Sequence, residues 1–187
     1  MDELESALRD LRACVSSGDN ETAEMLMVGP LDDLAMLEAP WSDGLFMGVV
    51  DLLRDEKFLR LEVSWKLIKL LERHWENLGS LQQDQMLAVL TSCFDKFQDR
   101  MGAFLVAEIL GERYASEDAF NRLDVLSKQA RLPHRALAAY GLGKLARTVR
   151  NGKIYTRAVN RLKALRSDEA EQVRTESVEA LQRLGEA

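Results

Sequence analysis

The chain has 187 residues, of which 47% are hydrophobic, 30% charged and 6% aromatic, and its 25 bases against 31 acids leave a net charge of −6. This is the length of one domain and the apolar content of a globular protein, with too little glycine and proline for a linker or a collagen-like chain. The apolar stretches around Leu45 to Leu53 and Ala103 to Leu110 fall short of the roughly 18 to 20 residues a membrane span needs, so no membrane partner is expected.

The first element is acidic. Met1-Asp2-Glu3-Leu4-Glu5 has neither the basic start nor the apolar core of a secretory signal, which predicts a cytoplasmic location. Leu4, Ala7, Leu8, Leu11 and Val15 then recur with helical spacing, as an amphipathic helix requires. Met25, Met27, Met36 and Met47 follow in a stretch without clear period; they are read as core packing, with an adaptable binding surface as the alternative. Leu61, Trp65, Ile68 and Leu71 form a second stripe. Ser80 and Gln83 have capping-box spacing ahead of a helix over about 81–97, and Ser116 before Glu117 and Asp118 predicts another N-terminus, for a helix over 117–129. Pro133 suits a first helical turn, and Asn151-Gly152 suits a break between helices. Tyr155, Ala158, Val159, Leu162 and Leu165 mark a helix over 153–166, and Asp168 with Glu171 reads as a further cap. No segment alternates with period two, so the chain is expected to be all-α.

A longer period runs through these helices. Arg60 and Leu70, Arg100 and Leu110, Arg135 and Leu145, and Arg174 and Leu184 each keep the same separation from a helix-starting arginine to a leucine. In the last three, small residues recur after the leucine (Gly111, Ala146, Gly185) and three positions after the arginine (Ala103, Ala138, Ser177), where they would let neighbouring helices approach. The stretches Arg135-Ala-Leu-Ala-Ala-Tyr-Gly-Leu-Gly-Lys-Leu-Ala146 and Val173-Arg-Thr-Glu-Ser-Val-Glu-Ala-Leu-Gln-Arg-Leu-Gly185 resemble the first helix of a HEAT repeat. The resemblance to HEAT and armadillo arrays is clearest from Arg100 to Ala187, weaker over 58–78 and not visible before Pro40. It implies a right-handed α-α superhelix, a HEAT-like solenoid of antiparallel helix pairs sharing one core. On this reading 1–187 is a single domain, with a divergent helical cap over 1–57 and repeats starting near 60, 100, 135 and 174.

Catalytic and metal chemistry has little to work with. His74 and His134 have no ligand at helical spacing and read as surface or capping residues; Cys14 and Cys93 stand 79 positions apart, so no disulfide framework or metal site is expected. Gly141-Leu-Gly143 lies in a helical stripe with no preceding strand, which points to close helix packing and away from a phosphate loop. The acid pairs Asp32-Asp33, Asp55-Glu56 and Glu117-Asp118 are adjacent residues of caps and polar faces. No hydrolase, P-loop or kinase motif occurs, so neither an enzyme nor a cofactor is expected. Trp41, Trp65 and Trp75 are read as core anchors, with partial exposure of Trp75, flanked by His74 and Glu76, as the alternative.

Charge is the one functional signal. Residues 1–60 carry −9, residues 61–120 carry −4 and residues 121–187 carry +7. Lys153, Arg157 and Arg161 recur every four residues, within about 80° of one another, and are expected to form an outward cationic ladder, with Ile154, Ala158, Leu162 and Leu165 on the opposite side. Arg147 and Arg150 cluster with Lys153 at the adjoining turn. The HEAT resemblance implies that this ladder lines the groove of the solenoid. The expected role is a protein-binding scaffold or adaptor whose basic patch, Arg147, Arg150, Lys153, Arg157 and Arg161, meets an acidic partner. The alternatives are a solvated lysine and arginine face with no partner, nucleic-acid binding, since HEAT-repeat DNA glycosylases follow a phosphate backbone with such a groove, and a small immunity or inhibitor protein whose acidic front meets a basic target. Salt-sensitive self-association of the two ends is a further possibility.

Overall fold

A computed structural model of the protein describes residues 2 to 28 and 41 to 186; Met36 and the Asp32-Asp33 pair lie outside the described residues. The described residues form eleven α-helices and no strand. No helix among them is long and apolar enough to cross a membrane. The chain divides into two compact units, Met1–Gly102 and Ala103–Ala187. The division separates charge as well: unit 1 holds 20 acids and 10 bases, unit 2 holds 11 acids and 15 bases.

Unit 1 opens with α1 (Asp2–Ser17) and α2 (Asn20–Val28). The spacing of Leu4, Leu8, Leu11 and Val15 puts all four on the buried face of α1, which packs against α2 and α3. Gly18 takes the left-handed conformation between the two helices, and the Asp19 carboxylate accepts a hydrogen bond from the Thr22 N–H at 3.1 Å to cap α2. Helix α3 (Asp43–Arg54) starts at Ser42, whose Oγ accepts from the Leu45 N–H, and buries Leu45, Phe46, Val49, Val50, Leu52 and Leu53 against α1 and α6. Short α4 (Glu56–Leu59), α5 (Trp65–Arg73), a 3₁₀ turn (Trp75–Asn77) and α6 (Ser80–Cys93) complete the unit.

Several expectations shift here. Arg60 ends α4 instead of starting a helix, and the next helix begins at Trp65, so the first copy of the repeat is out of register. The cap of α6 is displaced by one residue: the Gln82 side chain accepts from the Gly79 N–H, while Gln83 reaches back to the Trp75 carbonyl. Helix α6 ends at Cys93, short of residue 97, because Phe94 and Phe97 turn inward and are fully buried. The Phe97 ring lies where a Cβ on Gly102 would stand, 2.4 Å from that position. Trp75 is buried, whereas Trp41 and Trp65 are half-buried; Met27 is buried, but Met25 and Met47 are exposed.

Unit 2 takes in most of α7 (Arg100–Glu108), which continues as a π turn over Ile109–Arg113, then α8 (Glu117–Gln129), α9 (Leu132–Val149), α10 (Gly152–Leu165) and α11 (Glu171–Leu184). The ends of α8 fall where its cap signals put them, with Ser116 Oγ accepting from the Ala119 N–H. At α11 the capping residue is Ala170, and Asp168 instead accepts from the Ala170 N–H two residues earlier than a cap would stand. Helix α9 is central, packed against the π turn, α8, α10 and α11, and α10 packs on α8 and α11. Glycines make this possible. A Cβ on Gly111 would fall 2.6 Å from the Gly141 carbonyl oxygen, one on Gly141 would fall 2.7 Å from Leu123, and one on Gly143 would fall 2.7 Å from the Ala180 Cβ. The small positions Ala103, Ala138 and Ser177 are fully buried, as are Leu110 and Leu145. Gly185 does different work from Gly111 and Ala146: it ends α11 with φ of 72°.

Candidate functional site

The basic residues of unit 2 separate into two groups. Arg157 lies on α10 with its guanidinium 4.2 Å above the Phe120 ring, paired with Glu117 and donating to Asn121 Oδ1 at 2.9 Å. One turn on, Arg161 pairs with Asp124 at 3.2 Å and donates to the Ser127 hydroxyl at 2.9 Å. All of these partners belong to α8. The ladder therefore ties α10 to α8, with Arg161 only 21% exposed, where an outward ladder was expected. The wheel angles explain the difference. Averaged around the helix, the three cations and the four apolar residues are only about 95° apart at 100° per residue, so the cations border the buried stripe and meet the neighbouring helix along the seam.

Arg147, Arg150 and Lys153 behave otherwise. All three are exposed at the turn between α9 and α10, and among the described residues the side chains of Arg147 and Arg150 make no hydrogen bond or ion pair, although the Arg147 charge acts on Glu112. Lys153 approaches one acid, Glu117, at 3.8 Å, and Glu117 is already held by Arg157. Arg150 adopts a left-handed conformation, φ 55°, to end α9, and Gly152, φ 82°, turns the chain into α10.

Arg147 also lines a cleft of about 270 Å³ between α9 and α11, together with Tyr140, Gly143, Lys144, Ala180, Arg183 and Leu184. Tyr140, Lys144 and Arg147 share one face of α9, spaced by four and three residues, and Gly143 brings that face close to Ala180. Lys144 is clasped by Glu108 at 3.0 Å and Glu112 at 2.8 Å, and Tyr140 donates to Glu108 at 2.8 Å. Glu108 is the last residue of α7 and Glu112 lies within the π turn, and both reach Lys144. Arg183 is held by Glu176 and Glu179.

This network sets protonation away from the neutral range. Partial burial works against the Lys144 charge, but the hydrogen bonds to Glu112 and Glu108 outweigh it and hold its pKa above the usual lysine value. Burial, then the Glu108 hydrogen bond, raises Tyr140, and the Lys144 hydrogen bond lowers Glu112. Lys144 thus stays charged, Tyr140 protonated and Glu112 ionised at neutral pH, a set suited to electrostatic recognition and poorly suited to proton transfer. Burial likewise pushes the Cys93 thiol up to about 12, far from a nucleophile's value.

The histidines are not surface residues. His74 is buried beside the Asn77 amide and His134 is buried against the Arg131 guanidinium, so both are packed into their units. Among the described residues no three His, Cys, Asp or Glu side chains gather as a metal site. The sequence reasoning missed the cleft, with Tyr140, Lys144 and Arg183 as its polar walls. The available signal was the i, i+4, i+7 series from Tyr140 to Arg147 flanking the small Gly143. Compared with family models, with curated proteins and with solved structures, the chain matches none of them.

Proposed function

We propose that this protein is a non-catalytic protein-binding scaffold in which unit 2 is a HEAT-like stack and the basic turn between α9 and α10 receives an acidic segment of a protein partner. The side-by-side packing of the π turn that ends α7 with α9, of α9 with α11, and of α8 with α10 supports the stack. The observation that carries the binding role is the division of the cations. Arg157 and Arg161 are held by α8, while among the described residues Arg147 and Arg150 form no ion pair and Lys153 shares its acid with Arg157. Exposed guanidiniums without internal partners keep all their donors for a carboxylate and lose little on pairing.

A fluorescein-labelled deca-glutamate peptide tests this at low salt. The full chain is expected to bind it, and Arg147→Glu combined with Arg150→Glu to weaken binding by roughly tenfold or more with the helical content unchanged. Equal binding by the double variant, or no binding by the native chain, overturns the proposal. A short DNA duplex held more tightly than the peptide, with the steep salt dependence of phosphate neutralisation, assigns the surface to nucleic acid instead.

A further inference from the structure

Arg147 belongs to both the basic turn and the cleft, and that double membership has a consequence for recognition. Of the three cations lining the cleft, Lys144 is spent on Glu108 and Glu112, and Arg183 on Glu176 and Glu179. Four carboxylates against these two cations leave no surplus positive charge there. The cleft is therefore no general anion well. Among the described residues Arg147 is the one cation of the cleft outside any ion pair, its charge acting on Glu112 only through space, and its guanidinium offers five N–H donors in a planar fork.

The floor and far wall are apolar: Gly143 has no side chain, the Ala180 methyl lies opposite, and Leu184 closes the side. The space, about 270 Å³, admits one or two side chains and is too small for a helix. A group that satisfies both features has a carboxylate at its end and methylenes behind it. Resting on the proposed binding of an acidic partner, we infer that the cleft between α9 and α11 receives one carboxylate side chain of that partner. The carboxylate lies on the Arg147 fork and its stem over Ala180 and Leu184. Neighbouring acids of the same segment then meet Arg150 and Lys153 at the turn. The cleft gives position and the turn gives attraction, the usual division between a seated anchor and a charged rim.

The test follows the methyl groups of Ala180 and Leu184 by NMR during titration with deca-glutamate, at constant ionic strength. Saturable shifts of both methyls are expected, along with signals of the turn. Arg147→Met keeps the stem and removes the fork, and is expected to weaken binding about fivefold and to abolish the methyl shifts. Arg166→Met removes an exposed cation outside the cleft that likewise forms no ion pair among the described residues, and is expected to change affinity less than twofold. If the peptide binds and only residues 150–153 shift, or if Arg147→Met and Arg166→Met behave alike, the cleft has no part and the inference fails while the acidic-partner reading stands. Absence of any binding overturns both. Methyl shifts produced by a short DNA duplex and not by the peptide overturn the assignment of a carboxylate ligand.

Discussion

Arg135, Lys144, Arg157 and Arg161 occur in the same basic stretch as Arg147, Arg150 and Arg166, yet the two sets have different surroundings. Each of the first four has a carboxylate partner on another segment of unit 2: Asp168 for Arg135, Glu108 and Glu112 for Lys144, Glu117 for Arg157 and Asp124 for Arg161. Among the described residues the last three form no ion pair. A run of positive charge is thus two things at once, a set of interhelical ties and a remainder open to other molecules. What separates them is whether an acid of a neighbouring segment lies within reach.

The strongest challenge to that division is Arg135→Met. Arg135 is 13% exposed and its Nη2 donates to Asp168, itself 14% exposed, at 2.8 Å; Arg174 closes the same loop by donating to the carbonyls of Asp168 and Glu169. Removing the guanidinium leaves a nearly buried carboxylate with only the Ala170 N–H, and the expected loss is about 2 to 3 kcal/mol. Urea unfolding read by hydrogen-exchange protection of α11 measures it. A loss below about 0.5 kcal/mol would place Arg135 among the open cations.

A smaller effect comes from the Lys144 clasp and depends on pH. The folded pKa of Glu112 is lowered by the Lys144 hydrogen bond, so its contribution is present above the ordinary glutamate value, about 4.3, and is lost as pH falls through the folded value beneath it. Lys144 is raised, so its contribution is present below the ordinary lysine value, about 10.4, and is lost only as pH rises through the higher folded value. The stability difference between the native chain and Glu112→Gln should therefore be flat from about pH 5 to 10 and vanish in acid. With Glu112 about half exposed, it should stay under about 1 kcal/mol. A difference that persists at pH 2 would mean that Glu112 acts by packing rather than by charge.

Particular residues show which parts were legible in the sequence. The stripe Leu4, Leu8, Leu11 and Val15 and the ends of α8 could be read because hydrophobic period and a serine cap are local properties. The end of α6 could not, because Phe94 and Phe97 leave the helix to fill space that includes the position a Gly102 side chain would take. The burial of His74 and His134 is a tertiary fact of the same kind. In the candidate site, spacing placed Lys153, Arg157 and Arg161 on one side of α10 correctly. That side faces α8 and its acids, which only the packing of two helices separated in sequence can decide. The cleft depends on the approach of Gly143 to Ala180, a pair 37 residues apart, and on Glu108 just before, and Glu112 within, a π turn that no local signal announced.

Arg150 gives the smallest effect and the sharpest opposition between stability and binding. It ends α9 with φ of 55°, a conformation in which a side chain with a Cβ is strained and glycine is not, and its N–H donates to the Ala146 carbonyl as a helix end requires. Among the described residues no hydrogen bond or ion pair of its guanidinium offsets that strain. Arg150→Gly should therefore raise stability by about 0.5 kcal/mol or slightly more, after the extra freedom of glycine in the unfolded chain is counted. The same substitution removes one of the open cations and should weaken deca-glutamate binding severalfold. Opposite signs in the two measurements would show that a strained arginine is held at a position where glycine folds better, as binding surfaces often require. A loss of stability would mean that Arg150 is itself a structural tie, and it would move from the open set of cations to the clasped one.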